Sequence, residues 1–211
     1  MITELPTWLD LIAIASGGLF GSAVAVQRKA PLVGVMLLGV LMALGGGMLR
    51  DTLINAPVVA LKNELYLPVA IGAAFLGLPL ARRITEHPVV GLGLDALSLG
   101  LYVVVGTAKA SLFGLSFTAS VFIGLITAIG GGTLVDILVG ERPAVLKHGP
   151  WFASAALLGA FVYLALKPFF PGLIAEIATV AVVFTVRFTS ERLGYSAPSV
   201  ETLRKIQKRR K

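Results

Sequence analysis

Cysteine is absent from all 211 residues, which excludes disulfides, thiolate nucleophiles and cysteine-held metals. Charge is scarce: Asp, Glu, Lys and Arg make up 14% of the chain, against about 25% in soluble domains. Histidine occurs twice, as His87 and His148, both in connecting segments and without metal-ligand spacing. No Lys-Ser or Lys-Thr follows a glycine cluster, so no phosphate-cradling loop is present. The apolar runs contain no nucleophile-and-base constellation. An enzyme reading finds no support, and no cofactor or metal is implied. The N-terminus, MITELPTW, lacks a basic region, so the first apolar run reads as a retained span and not a signal peptide.

What the chain has is apolar length. Hydrophobic residues form 56% of it and the mean hydropathy is +0.90. Seven runs approach or exceed the ~20 residues a spanning helix needs. They are 9–27, 32–53, 65–81, 88–108, 111–139, 149–166 and 168–188. Short connections punctuate them, and Pro88, Pro150 and Pro171 fall near helix starts, where a missing amide is tolerated. The expected fold is an all-α integral membrane protein with one transmembrane domain, 1–198, and a basic tail, 199–211. Whether Ala56–Leu61 re-enters the membrane or lies on its surface stays open.

Two glycine triplets interrupt the longest runs: Gly45-Gly46-Gly47 in GGGMLRDTL and Gly130-Gly131-Gly132 in GGGTLVDIL. One Gly in a helix interior costs roughly 1 kcal/mol relative to Ala, so a triplet predicts a bent or broken helix. Broken backbone inside a bilayer is tolerated only where protein covers it or water lines it. Two such breaks in matching positions point to a pathway at the membrane midplane. Close packing of neighbouring helices is the blander use of such glycines.

The triplets belong to a longer repeat. When the chain is laid over itself with Asp10 on Asp95, the same offset brings Gly21 onto Gly106 and Gly39 onto Gly124. It also brings Asp51 onto Asp136 and Lys62 onto Lys147, without a gap. Each copy, about 9–80 and 94–165, holds three spans. An odd number makes the second copy enter the membrane from the opposite face, which is an inverted repeat. The seventh helix, about 168–188, stands outside it. Lys and Arg divide 14 against 4 between the two sides, counting the tail RKIQKRRK with the larger group. That places the N-terminus outside and the C-terminus in the cytoplasm. The net charge of +7 therefore reflects the anionic lipid surface and not nucleic acid.

Seven spans arranged as three, three and one, with GGGMLRD in the second and GGGTLVD in the fifth, resemble the prokaryotic branch of the trimeric intracellular cation channel (TRIC) family. The resemblance covers nearly the whole chain. It implies a homotrimer in a plasma membrane, with one pore per subunit lined by the two glycine-containing helices. It also implies passage of potassium and other monovalent cations. Gly45, Gly46, Gly47, Arg50, Asp51, Gly130, Gly131, Gly132 and Asp136 match its motif positions. One departure stands out: Val135 occupies the place of a second Arg.

Charged residues inside spans are functional candidates by default. Asp51 has Arg50 beside it, whereas Asp136 has no adjacent base and leaves the second motif near −1, a charge that would gather cations at the cytoplasmic mouth. Thr133 offers a hydroxyl to ions or to a neighbouring helix. Asp10 suits a helix N-terminus, Asp95 lies deep enough to pair with a base of the bundle, and Glu176 is a lone acid of the last span. A secondary transporter of a small polar solute, such as an amino acid, is the alternative, because inverted repeats with broken helices also build transporters.

Overall fold

The computed structural model describes residues 7–147 and 149–196; His148 and the tail 199–211 lie outside the described residues. All regular structure among these is helical: α1 (Thr7–Gln27), α2 (Leu32–Leu53), α3 (Val59–Lys62), α4 (Tyr66–Glu86), α5 (Pro88–Leu112), α6 (Phe117–Leu138), α7 (Ala153–Leu166) and α8 (Gly172–Leu193), with a 3-10 turn at Ala144–Leu146. Six of the helices, all but α3 and α7, are long and apolar enough to cross a membrane. The apolar α7 has 14 residues, about 21 Å at 1.5 Å per residue. It is shorter than the expected run because the backbone at 149–152, which includes Pro150, is not helical.

Two further boundaries differ from the sequence expectation. Residues 111 and 112 close α5 and do not open α6, since Gly114 turns the chain in a left-handed conformation (φ 77°). Ser116 then caps α6 by accepting from the Ala119 amide at 3.4 Å. The segment Ala56–Leu61 holds only the start of the four-residue α3, with Ala60 buried.

The larger correction concerns the triplets. Both α2 and α6 run as unbroken α-helix through their glycines. The helical hydrogen bonds persist because the lost side chains are replaced by a neighbouring backbone. A methyl carbon built on Gly46 would collide with the Thr127 carbonyl, and one on Gly131 with the Met42 carbonyl. Residues 42 and 46 of α2 thus contact 131 and 127 of α6, with Gly130 and Gly45 flanking the crossing. The glycines are first a packing device that lets two helices approach backbone to backbone.

Small residues serve the other contacts similarly: Gly18 meets Ala73, and Gly39 meets Ala74. The buried core is fine-grained, with clusters such as Leu9, Ala13, Leu101, Tyr102 and Tyr163, or Val103, Val121, Ala156 and Val183. The bulky apolar side chains Val33, Leu37, Phe75 and Phe122 point outward instead. This distribution suits a molecule whose solvent is lipid.

Candidate functional site

The α2–α6 crossing separates two chambers. The larger has a volume of about 400 Å³ and reaches from Arg28, Lys147 and Glu191 inward to Gly131, Gly132, Met42, Gly17 and Tyr102. The smaller, on the other side of Tyr102, is bounded by Asp10, Gly47, Arg50, Asp51 and Tyr66 and holds only about 10 Å³. That is about the minimum for a single water. Tyr102 lines both, and its hydroxyl donates to the Ala43 carbonyl at 2.6 Å. It is the partition between an open vestibule and a collapsed one.

Each chamber contains one motif acid, held by the same local device. The backbone amide of Val59 donates to Asp51 Oδ2 at 3.0 Å, and at the equivalent place in the second copy the Ala144 amide donates to Asp136 Oδ2 at 2.8 Å. The turns after α2 and α6 also match, with left-handed residues at Asn55 (φ 53°) and Gly140 (φ 73°). Each aspartate therefore fastens the chain segment that follows its helix.

The second carboxylate oxygens find different partners. Asp51 Oδ1 accepts from Arg50 Nε and from Lys109 Nζ, both at 2.8 Å. Arg50 and Asp51 are 2% and 1% exposed, so this pair is out of water, while Lys109 is 15% exposed. Asp136 Oδ1 accepts from Arg28 Nη2 at 2.7 Å, and the same nitrogen reaches Glu141 Oε2 at 3.0 Å. Arg28 is 20% exposed and stands at the vestibule rim. The expectation that Asp136 is an unpaired charge is thereby overturned. Its base comes from the end of α1, 108 residues away in the chain. Among the described residues, the charged side chains lining the vestibule are Arg28, Lys147 and Arg187 with Asp95, Asp136 and Glu191, which sum to zero.

The other acids are also placed. Asp10 accepts from the Tyr66 hydroxyl at 2.8 Å. Asp95 accepts from Arg187 Nε of α8 at 2.9 Å, which meets the expectation of a base from the bundle. Arg187 also donates to Glu191 and lies 5.3 Å from the ring centre of Phe152. Glu176 is buried, and its Oε2 has no partner among the described residues.

Of the sequence-selected residues, Gly131, Gly132 and Asp136 line the vestibule, and Gly47, Arg50 and Asp51 line the collapsed chamber. Gly45, Gly46 and Gly130 form the crossing itself. Thr133 lines neither chamber. Sequence reasoning missed Arg28, Tyr102 and Lys109. Only Lys109 left a trace: its counterpart in the repeat is Val24, one helical turn before Arg28.

This geometry has counterparts in known proteins. A family model described as glycine transporter matches residues 7–82 and again 92–168, two stretches whose starts are offset as Asp10 is from Asp95. A UPF0126 membrane protein of Deinococcus radiodurans is 31% identical over 90% of both chains. Among solved structures, one described under conductance through TRIC cation channels superposes with a TM-score of 0.82 at 29% identity, covering 92% of this chain and 96% of that one. The TRIC orthologue of Rhodobacter sphaeroides gives 0.79 at 31% identity, covering 87% and 95%. The TRIC resemblance read from the glycine motifs thus extends to the whole fold.

Proposed function

The chain belongs to the family described as glycine transporter, and from that membership and the TRIC fold we propose that it is a cation channel of the cell membrane. Potassium and other monovalent cations pass through a pore in each subunit of a homotrimer. The pathway follows the two chambers and crosses between them at the glycine contact of α2 and α6. Gly47, Arg50 and Asp51 serve one mouth, and Gly131, Gly132 and Asp136 the other. The single transmembrane domain comprises seven spans, α7 included, as two inverted repeats plus α8. Its N-terminus is outside and its C-terminus, with the tail, is cytoplasmic.

The observation that carries this reading is the vestibule, which penetrates to the α2–α6 crossing in a chain that superposes on TRIC cation channels at TM-scores of 0.82 and 0.80. The formal charges of the described lining residues sum to zero, so the cation preference is assigned to Asp136 together with the helix C-terminal carbonyls near it, which carry partial negative charge. The recurring Asp136–Ala144 and Asp51–Val59 bonds, and the double match of one family model, support the repeat.

The family description favours a second reading, transport of a small zwitterion. A vestibule of balanced acids and bases suits such a solute as well as it suits an ion. One pair of measurements separates them. Purified protein in a planar bilayer under a potassium chloride gradient should give unitary currents that reverse near the potassium potential. Reversal near the chloride potential overturns the cation claim. Silent bilayers together with saturable glycine uptake by proteoliposomes would establish the second reading.

A further inference from the structure

The register of the repeat lays the collapsed chamber over the open one, and three of the differences between them remove a polar or aromatic group outright. In the collapsed chamber, Tyr102 is anchored on the Ala43 carbonyl, while Arg50 and Lys109 both hold Asp51. The counterparts of Tyr102, Arg50 and Lys109 in the other copy are Gly17, Val135 and Val24. Gly17 and Val24 line the open vestibule and leave it empty of bulk. Val135 is fully buried and packs with Ala25, Val35 and Leu38, away from the chamber. The acid and its amide partner are duplicated, and Tyr66 has an aromatic counterpart in Trp151, but Tyr102, Arg50 and Lys109 have no counterpart of like size or charge.

Arg28 does not replace them. Its bond to Asp136 is already formed, at 2.7 Å, and the vestibule remains about 400 Å³. The Tyr102, Arg50 and Lys109 side chains that meet at the Asp51 end thus have no equivalents at the Asp136 end.

We propose that this chain carries a single gate, composed of Tyr102, Lys109 and Arg50 at the Asp51 end, and that the Asp136 end is a standing vestibule without a closure of its own. Inverted repeats ordinarily alternate access by exchanging the conformations of their halves. That exchange requires each half to supply closing groups, and one half of this chain lacks them. Solute passage then depends on opening one barrier. The inference rests on the reading of the two chambers as ends of one pathway, and it holds for either solute class.

The absence of cysteine permits a matched test. Gly47 and Gly132 are repeat counterparts, and each lines its own chamber. A methyl carbon at either position has its nearest neighbour at 3.7 Å, an ordinary contact, so the backbone admits a side chain at both. Gly47→Cys and Gly132→Cys, in proteoliposomes of defined orientation, are exposed to a membrane-impermeant thiosulfonate from each side. In the otherwise unchanged chain, Gly132→Cys should react from the Asp136 side at least tenfold faster than Gly47→Cys reacts from the Asp51 side. Adding Lys109→Met or Tyr102→Phe should raise Gly47→Cys labelling at least tenfold and leave Gly132→Cys labelling within twofold. Two independent gate variants guard against one that fails to fold.

Equal labelling of the two cysteines in the parent background overturns the proposal, since no gate then stands at the Asp51 end. A tenfold fall in Gly132→Cys labelling when the Asp51 end opens also overturns it, because the halves then alternate. Neither outcome depends on which solute is carried, so a failed potassium current leaves the labelling result intact.

Discussion

Asp51 and Asp136 occupy equivalent places in two copies of one sequence pattern, and each holds the backbone amide eight residues on. Around this common device the surroundings diverge. Asp51 is buried beside Arg50 at a chamber too small for more than about one water, with the partly exposed Lys109 as a second base, whereas Asp136 meets one base at the rim of an open vestibule. Local backbone chemistry is therefore inherited by both halves, while solvent access is set by what distant helices deliver. Both carboxylates are buried, so the difference in energetic weight lies in the bases: Arg50 is 2% exposed and Arg28 20%.

The largest expected effect breaks what the two halves share. Gly46→Leu and Gly131→Leu each drive a side chain into a backbone carbonyl of the partner helix, and neither can shift without moving the whole crossing. Both should abolish the monodisperse peak in detergent gel filtration. Gly47→Ala and Gly132→Ala, with free space around the added carbon, should retain it. Normal folding of the Leu variants would show that the crossing is not what joins the halves.

Removing the acids sharpens the contrast. Asp51→Asn leaves Arg50 buried without a counter-charge, and stranding one partner of a buried pair costs about 3–5 kcal/mol. Asp136→Asn leaves the 20% exposed Arg28 with Glu141 as its remaining counter-charge, a smaller loss. Thermal unfolding in detergent should place the midpoint of Asp51→Asn well below that of Asp136→Asn. Equal midpoints would erase the distinction between a sealed and a hydrated end.

A smaller effect is expected on selectivity. Asp136→Asn removes one negative charge and leaves Arg28 facing the vestibule, so the reversal potential in a potassium chloride gradient should move toward the chloride potential. An unchanged reversal would assign cation preference to the backbone carbonyls alone. The smallest effect is that of Tyr102→Phe on stability, about 1 kcal/mol for one lost hydrogen bond, read as a slight fall in unfolding midpoint.

Much of this was legible in the chain. Six of the seven expected spans appear as full-length helices, because a long apolar run has few alternatives in lipid. The two acids drew notice because a charge is costly inside a span, and the structure places each beside one of the two chambers. The glycine triplets were located correctly but misread as breaks. Helix propensity is a local penalty, and the backbone-to-backbone contact of Gly46 and Gly131 that offsets it exists only once α2 and α6 meet. The charge of the second motif was misjudged for a similar reason: Arg28 reaches Asp136 through the fold, and no spacing rule links residues so far apart in the chain.

The sequence by itself determined the helical class, the span boundaries to within a few residues, the internal duplication and the duplicated acids. These follow from hydropathy and repetition, which are properties of the chain read in order. Only the tertiary structure decided that one chamber is open and the other collapsed. That difference depends on where Tyr102 and Lys109 of α5 arrive beside α2, and on the absence of bulk at Gly17 and Val24 opposite. Side-chain volume fills or leaves a chamber only after the helices have packed, and packing is a property of the assembled bundle.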